Sequence, residues 1–404
     1  MSGPLSGVKV VEVAMWAFVP SCGGMLSDMG ADVIKIEPPD GDPSRGLTTA
    51  GMGPGASGFT VQWEIYNRGK RSISIDLKQE GAVELLHKLL EDADVFLTNI
   101  LPPARRKMKI DVEDIRARHP NIIYAVGSGT GPHGPDSEKG GYDFISFWSR
   151  GGVSAGVTPS DYPYPLPMPS GAFGDCTSGA VLASGISAAL FQRATTGKAS
   201  VVDASLLGAS MWSMQSKISQ VTLVGLPDLP KPPRTQTFNP LVNCYRTSDN
   251  RFIVLCMLQG QRYWPGFCRA VGRPELVDDP RFDTDAHRQA NISECVAAID
   301  EVFATRALKE WQEILATQPG QWDTVQNPGD VHLDHQVIAN QLMQEVDYED
   351  GRKLKMVSVP VLFDRQALKA RPAPEFGAHS DSILADLGYS EDEIIDLKVA
   401  GVVY

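Results

Sequence analysis

The residues with the clearest chemical potential are Gly174 and Asp175, directly before residues 176–193, a long stretch rich in small and apolar residues. That stretch is predicted to form a helix that ends at Gly197, a typical C-terminal cap. Asp175 then has two interpretations. Aspartate is a preferred N-cap residue, because its carboxylate accepts amide protons of the first turn. A helix N-terminus also stabilises an anion, so the carboxylate would be ionised and available as a nucleophile, with the glycine permitting close approach of a ligand.

Two short basic clusters are the next candidates for chemistry. Residues 67–71 (NRGKR) and residues 105–107 (RRK) lie in predicted loops beside the ends of strands or helices. Lysine and arginine bind phosphate oxygens through charge-assisted hydrogen bonds. Because the chain as a whole is acidic, with a formal net charge of -12, the clusters indicate an anion site for a phosphorylated ligand. Charge exposed to solvent is the alternative interpretation.

Two glycine motifs match known signatures without their structural context. Residues 129–134 fit G-x-G-x-x-G, but Pro132 and Pro135 interrupt the helix that a dinucleotide site requires, so no NAD site is predicted. Residues 152–156 fit G-x-S-x-G, but the polar, proline-rich stretch that follows does not predict the helix of a nucleophile elbow. A glycine turn is the simpler interpretation of the second motif.

Composition argues against several classes of protein. His332 and His335 are three residues apart, but no distant third ligand accompanies them, so no metal site is predicted. The excess of 49 acidic over 37 basic residues argues against a nucleic-acid partner. No stretch of 18 apolar residues predicts a membrane span, and residues 1–13 do not resemble a signal peptide. The six cysteines form no C-x-x-C pair, which indicates reduced thiols and a cytoplasmic protein.

Strands and helices alternate through the first half of the chain. Strands are predicted at residues 8–13, 33–37, 95–99 and 122–127, and an amphipathic helix at residues 81–91. Strands as continuously apolar as VKVVEV and NIIYAV are typical of a parallel sheet that helices cover on both faces. The predicted fold class is therefore α/β.

The second half differs in composition. Residues 225–238 (GLPDLPKPPRTQTF) are rich in proline, which favours an extended linker. Two predicted strands follow at residues 242–246 and 252–258, joined by a turn at residues 248–250, and helices come after them. This pattern predicts a separate small α+β domain.

Several segments along the chain resemble the class III CoA-transferase family, which includes formyl-CoA transferase, carnitine CoA-transferase and α-methylacyl-CoA racemase. The matching segments, in order, are PLSGVKVVEV, GADVIKIEPPDGDPSR, NRGKRSISIDL, DADVFLTN, GGYDF, SGAFGDCTSG and TGKASVVDASLL. The C-terminal segments SILADLGYSEDEI and AGVV also look like the usual ending of the family. The resemblance covers nearly the whole chain, and the order of the segments makes it specific to the superfamily but not to a substrate.

The resemblance implies an architecture that spacing alone does not give. Family members build a large Rossmann-like domain from both chain ends and a small domain from the middle, and two subunits interlock like linked rings in a homodimer. Carried over to this chain, residues 1–224 and 351–404 form the large domain and residues 241–320 the small α+β domain. Residues 225–240 and 321–350 are the two linkers.

The resemblance also implies a mechanism in which Asp175 is the nucleophile. It would attack an acyl-CoA thioester, pass through an aspartyl anhydride and an aspartyl-CoA thioester, and hand coenzyme A to a second carboxylic acid. Residues 257–261 take the place of the family's glycine-rich loop, so Gln259, Gly260 and Gln261 are expected to hold the oxyanions. Neither a metal nor NAD is implied.

Coenzyme A contacts carry over position by position. The implied contacts lie in the first turn, the phosphate-side loop, the strand end near the adenine and two further basic positions: Ala17, Phe18, Asn67, Arg68, Gly69, Lys70, Asn99, Ile100, Lys107 and Lys139. Lys107 stands where an arginine is more usual, which keeps the charge but loses the bidentate fork. Pro38 replaces an arginine found in some members.

The racemase branch of the family places a histidine in a G-H-D string, and the corresponding residues here are Gly141, Tyr142 and Asp143. Because a phenol with a reference pKa near ~10 replaces an imidazole poised near neutrality, the transferase is favoured over the racemase. A non-catalytic CoA-binding relative is the other alternative.

The aromatic residues expected near the site suggest that the substrate is a bulky or aromatic acid. Core packing is the other explanation for these residues, which are Trp16, Phe18, Phe144, Phe147 and Trp148.

Overall fold

A sheet of six parallel strands organises the larger part of the chain, in a computed structural model that describes residues 3–47 and 59–404. The strands are β1 (Lys9–Val13), β2 (Asp32–Glu37), β3 (Arg71–Ser74), β4 (Val95–Thr98), β5 (Ile123–Ser128) and β6 (Val201–Ser205). Their order is β3-β2-β1-β4-β5-β6. The chain runs outward in one direction from β1 to β3 and in the other from β4 to β6, so the topological switch point lies between β1 and β4. The predicted α/β class is confirmed.

Helices cover both faces of this sheet. Those of the N-terminal part are α1 (Phe18–Asp28), α2 (Val61–Asn67), α3 (Ala82–Leu90), α4 (Pro102–Met108), α5 (Val112–Arg118), α6 (Val153–Val157), α7 (Phe173–Thr196), α8 (Leu206–Ser213) and α9 (Gln215–Val224). A π-helix, which the sequence pattern did not predict, spans Phe144–Arg150. Wide helical turns of this kind are frequent at functional sites.

The sheet separates two apolar cores because successive strand residues point to opposite faces. Val10 belongs to the core that contains α1 and α7, whereas the next residue, Val11, belongs to the core that contains α3 and α5. Leu97 and Phe96 divide in the same way. Burial on both faces explains why these strands are almost continuously apolar, as the sequence analysis expected.

The middle of the chain forms a second compact unit, which spans Pro159–Pro163 and Asp228–Asp334. Its elements are β7 (Val242–Arg246), β8 (Phe252–Cys256), α10 (Gly260–Ala270), α11 (Asp285–Ala290), α12 (Ile292–Phe303), α13 (Leu308–Leu315) and β9 (Trp322–Thr324). The three strands form an antiparallel sheet in the order β7-β8-β9. A separate apolar core, which includes Trp264, Phe267 and Trp311, lies within this unit.

The chain then returns to the first unit, whose described residues fall within Met1–Thr158, Tyr164–Pro227 and His335–Tyr404. The returning elements are α14 (His335–Ala339), β10 (Met343–Asp347), β11 (Lys353–Val357), α15 (Ser380–Asp386) and α16 (Glu391–Val399). Val403 forms an antiparallel bridge with Ile75, directly after β3. In the described part of the chain, no helix combines the length and apolar character that crossing a membrane requires.

Candidate active site

The sheet edge at which β1 and β4 end joins two segments that were predicted to bind substrate. Val13 pairs with Thr98, so the turn after β1 and the residues after β4 leave the sheet side by side. The Asn99 side chain joins them: its Nδ2 donates to the Met15 carbonyl at 2.7 Å, and its Oδ1 accepts from the Met15 amide at 3.0 Å. Open α/β sheets bind ligands in the crevice at such a switch point.

Four of the predicted coenzyme A contacts lie at this edge. Ala17 and Phe18 are buried at the start of α1, and Ile100 directly follows Asn99. The carbonyl of Ile100 accepts a hydrogen bond from the Arg105 guanidinium at 3.1 Å, which fixes the chain between β4 and α4. The structure therefore brings the first-turn pair and the strand-end pair together.

A buried charge cluster holds the turn between β1 and α1. Lys35 Nζ donates to Glu12 at 3.0 Å and to the Ala14 carbonyl at 2.7 Å, and it forms an ion pair with Asp42 at 3.0 Å. Asp42 in turn accepts from the Trp16 amide at 3.1 Å. Trp16 has a φ of 70°, a left-handed conformation that a bulky residue adopts only at a cost in free energy. The cluster thus stabilises a strained turn that leaves the Trp16 ring partly exposed.

The structure corrects the predicted role of Asp175 as an N-cap. The N-cap of α7 is Ala172, with a φ of 59°, so Asp175 is the third residue of the helix. The capping carboxylate comes from Asp143 instead: its Oδ2 accepts from the Gly174 amide at 2.9 Å and from the Asp175 amide at 3.3 Å. Spacing along the chain carries no signal for a cap that comes from a distant segment, so the sequence did not predict this contact.

The backbone of Asp175 is also held from the side of α1. The Ser21 hydroxyl lies 3.4 Å from the Asp175 carbonyl oxygen, to which it donates a long hydrogen bond. One turn further along α7, a side-chain carbon added at Gly179 would lie 2.9 Å from the Phe18 carbonyl oxygen. The two helices therefore approach closely only because position 179 has no side chain.

Burial, followed by the charge of Asp143, raises the pKa of the Asp175 carboxyl group to about 7. A helix N-terminus alone was expected to keep this group ionised, but desolvation outweighs that effect here. Two other ionisable groups that interact with the Asp175 charge are uncharged near pH 7. Burial raises the pKa of the Tyr66 hydroxyl and that of the Cys176 thiol, and the Asp175 charge raises both further.

In the loop at residues 67–70, the two basic side chains contact carboxylates of the protein itself. Lys70 is buried, and its ammonium donates to Glu12 at 2.8 Å and to the Asn67 side chain at 2.9 Å. Arg68 forms an ion pair with Asp28 at 2.7 Å, and its guanidinium also donates to a backbone carbonyl. Burial lowers the pKa of Lys70 to about 8. Within one chain, the charges of Lys70 and Arg68 are therefore paired with buried carboxylates, and the contacts of residues 67–70 with coenzyme A stay a prediction.

Gly69 of the same loop adopts a left-handed φ of 69°, and its amide donates to the Pro372 carbonyl at 2.9 Å. Lys107 and Lys139, the two outlying basic positions, are both exposed. Lys139 forms an ion pair with Asp136 at 2.6 Å, but its side chain remains 72% exposed. Their contacts with coenzyme A stay a prediction.

The aromatic residues divide into two groups. Phe18, Phe147 and Trp148 are buried, so core packing explains them. Trp16 makes an edge contact with Tyr142, at 5.9 Å between ring centroids, and both rings are partly exposed. Tyr142 directly precedes Asp143, and Trp16 lies just before α1, so this pair spans the two segments that hold Asp175. Phe144 and Phe173 are exposed as well.

In the second unit, the residues proposed as an oxyanion loop start a helix. Gln259 is the N-cap of α10, and Gly260 is its first residue. The Gln261 side chain accepts from Arg288 at 2.7 Å and donates to the Asp283 carbonyl at 3.0 Å. These residues therefore form the start of α10, which the Gln261 side chain anchors, and their part in catalysis stays a prediction. Within residues 3–47 and 59–404, no group of three or more His, Cys, Asp or Glu residues is arranged to hold a metal ion.

Known proteins support one family for this chain. It is 33% identical over 400 residues to (R)-2-hydroxy-4-methylpentanoate CoA-transferase of Clostridioides difficile, with 99% of each chain covered. It is 30% identical to cinnamoyl-CoA:phenyllactate CoA-transferase of Clostridium sporogenes, over 97% of this chain and 95% of that one. Other matches are named succinate–glutarate CoA-transferase, from Agrobacterium fabrum, and succinyl-CoA:glutarate CoA-transferase, from Homo sapiens.

The fold has solved counterparts. A CAIB/BAIF family protein from Brucella suis superposes with a TM-score of 0.82 at 28% identity, covering 96% of this chain and 100% of that one. A sequence profile described as CoA-transferase family III matches residues 5–380. The CoA-transferase names of the relatives, the solved fold and the span of this match agree with one another. The chain is therefore an enzyme that belongs to CoA-transferase family III.

Proposed function

We propose that the enzyme moves coenzyme A from an acyl-CoA to a free carboxylic acid, with Asp175 as the nucleophile. The Asp175 carboxylate attacks the thioester carbonyl, which forms an acyl–aspartyl anhydride and releases the CoA thiolate. The thiolate attacks the aspartyl carbonyl, which gives an aspartyl-CoA thioester and frees the first acid. The second acid attacks this thioester and forms a new anhydride. The released thiolate then takes the second acyl group and restores the carboxylate.

One observation carries this proposal: a carboxyl group with a pKa of about 7 lies in the first turn of α7. About half of such groups are ionised at pH 7 and most are ionised above it, and the carboxylate is more basic than an ordinary aspartate, which favours nucleophilic attack. Contacts from Asp143 and Ser21 hold its backbone. The start of α1, at the switch point of the sheet, lies against the same helix turn.

The test replaces the nucleophile and traps the intermediate. Asp175→Asn should lower kcat by at least about a thousandfold, because no carboxylate remains to carry coenzyme A. Hydroxylamine added during turnover of the unaltered enzyme should label Asp175 as a hydroxamate, which peptide mass spectrometry detects. Asp203→Asn, on the edge strand β6, is the matched control and should keep its activity. Full activity of Asp175→Asn, or turnover without any adduct at position 175, would contradict the proposal.

Coenzyme A is proposed to lie along the sheet edge formed by Ala17, Phe18, Asn99 and Ile100. The phosphate-side charge would come from Lys107 on α4, whose side chain is exposed. Lys107→Ala should raise the KM for acyl-CoA several-fold and leave kcat nearly unchanged, since a distant phosphate contact contributes uniform binding. Lys109→Ala, another exposed lysine near the end of α4, is the control.

The acid is proposed to carry a bulky apolar group. The Trp16–Tyr142 pair offers an exposed aromatic surface, and Tyr142 directly precedes Asp143, which accepts from the Asp175 amide. Two relatives are named for 2-hydroxy-4-methylpentanoate and phenyllactate, which are acids of this kind.

The specificity test compares acids of different size. Trp16→Ala should lower kcat/KM for 2-hydroxy-4-methylpentanoate and phenyllactate by at least about tenfold, the effect of losing an apolar contact of this size. Acetate should change much less. Tyr164→Ala, another exposed aromatic residue, is the control. If the unaltered enzyme prefers succinate or oxalate, the proposed acid class is wrong.

The racemase alternative is not favoured by the relatives, which are named as CoA-transferases. It predicts exchange of the α-proton of a 2-methylacyl-CoA in deuterated water without an acceptor acid. The transferase proposal predicts no such exchange, and coenzyme A transfer only when a second acid is present.

We also propose a homodimer. Several large apolar residues on α7, α8 and α9 are exposed in one chain: Phe191, Trp212, Leu223 and Val224. α9 buries none of its residues within one chain. An apolar surface of this kind supports coverage by a second copy. The interlocked form of the dimer rests on the family resemblance.

A further inference from the structure

Asp143 contacts the nucleophile's helix in an unusual way. Its Oδ2 accepts hydrogen bonds from the amides of Gly174 and Asp175, at 2.9 and 3.3 Å. The residue is only 5% exposed, and its Oδ1 has no hydrogen-bond partner among the described residues. An ordinary capping residue belongs to the helix that it caps. Here the cap comes from the start of the π-helix, and half of its carboxylate is left without a partner.

Packing fixes this carboxylate against the first turn of α7. A side-chain carbon added at Gly174 would collide with the Phe147 ring and with Asp143 Oδ1. Phe147 lies one turn after Asp143 in the π-helix, and its ring contacts that of Phe173 edge-on. Asp143 therefore has little freedom to turn away from the amides, and its negative charge remains beside Asp175.

The other ionisable groups around Asp175 do not offset this charge. Tyr66 on α2 and Cys176 on α7 are neutral near pH 7, because burial raises the pKa of each. Arg68, which follows α2, is paired with Asp28. Burial is the largest cause of the raised pKa of Asp175, and the charge of Asp143 is the next. Asp143 itself has a raised pKa through burial, which its two amide contacts partly oppose.

We infer that Asp143 is a positioning residue for the reaction: through Oδ2 it fixes the backbone of Asp175, and it places a second carboxylate beside the nucleophile. A carboxylate that holds its proton more tightly is also the stronger nucleophile toward a thioester. This inference rests on the proposed function, because it assigns Asp143 a role only if Asp175 attacks the substrate.

Asp143→Asn separates charge from position, since the amide oxygen of asparagine still accepts from the two backbone amides. We expect the acid limb of the kcat/KM profile to move to lower pH by more than about 0.5 pH unit, because Asp175 then loses its proton more easily. Above pH 8, kcat should fall several-fold, because the nucleophile is weaker. The KM for acyl-CoA should change little. Asp203→Asn is the control and should leave the profile in place.

Asp143→Ser is the second variant, because a serine hydroxyl also accepts from helix amides and is neutral. The pH dependence of carbodiimide labelling at Asp175, followed by peptide mass spectrometry, reports the same protonation step without turnover. A profile and a labelling curve that stay unmoved in the folded variants would overturn the inference. Full activity of Asp175→Asn would overturn the proposed function itself, so the two failures are distinguishable.

Discussion

Asp175 exemplifies a functional group that costs stability. Burial raises its pKa to about 7, whereas an unfolded aspartate ionises near ~3.9. The folded state therefore binds more protons than the unfolded state between these pH values, and stability falls as the pH rises through this window. Asp175→Asn removes the penalty. We expect the variant to have a higher Tm than the unaltered enzyme at pH 8, with the difference shrinking toward pH 4.

The same ionisation sets the activity profile. Below pH 7 the nucleophile is protonated, so kcat/KM for acyl-CoA should rise about tenfold per pH unit and level off above about pH 7. Steady-state rates between pH 5 and 9, with stability of the enzyme checked at each pH, measure this profile. If kcat/KM for acyl-CoA rises around pH 4 instead, Asp175 ionises as an ordinary aspartate in the free enzyme.

At the scale of the elements, the close crossing of α1 and α7 connects packing to chemistry. A side chain at Gly179 would meet the Ser21 hydroxyl and two backbone atoms of α1, Phe18 O at 2.9 Å and Cys22 N at 3.0 Å. Backbone atoms cannot rotate away, so Gly179→Ala should lower the free energy of unfolding by about 1–3 kcal/mol. It should also lower kcat, because α7 must move from the contacts that hold Asp175.

Gly266→Ala is the matched control for that prediction. Gly266 lies inside α10, and an added side-chain carbon there has no neighbour within 4 Å. Alanine has the higher helix propensity, so this variant should be more stable by about 0.4–1 kcal/mol and equally active. Thermal unfolding and kcat of both variants test the pair. Equal stability of the two variants would show that α1 and α7 are not in close contact at position 179.

These elements also show how far sequence reasoning reached. The short, continuously apolar stretches predicted β1, β2, β4, β5 and the parallel sheet, because burial on both faces leaves a local signature. It did not predict that Asp143 caps α7, or that Lys70 pairs with Glu12, since both contacts join segments that are distant in the chain. A basic cluster in the sequence looks the same whether its charges face a phosphate or a buried carboxylate.

At the scale of the whole molecule, several large apolar residues of a single chain are exposed to solvent. Leu223 on α9 is 85% exposed and Trp212 on α8 is 70% exposed. Large apolar residues exposed in a group mark a contact surface, and homodimers are the commonest assembly that provides one. The first compact unit is built from both ends of the chain, so assembly of two copies would involve segments distant in sequence.

Light scattering after size exclusion should therefore give a mass close to twice the 43.8 kDa of one chain. Leu223→Glu should reduce the two-chain species or the yield of folded enzyme, because it places a charge in the proposed contact. Gln312→Glu adds the same charge on the exposed face of α13 and should leave mass and activity unchanged. A fully active enzyme with the mass of a single chain would contradict the dimer. This result would not affect the proposed role of Asp175, because every contact described for that residue lies within one chain.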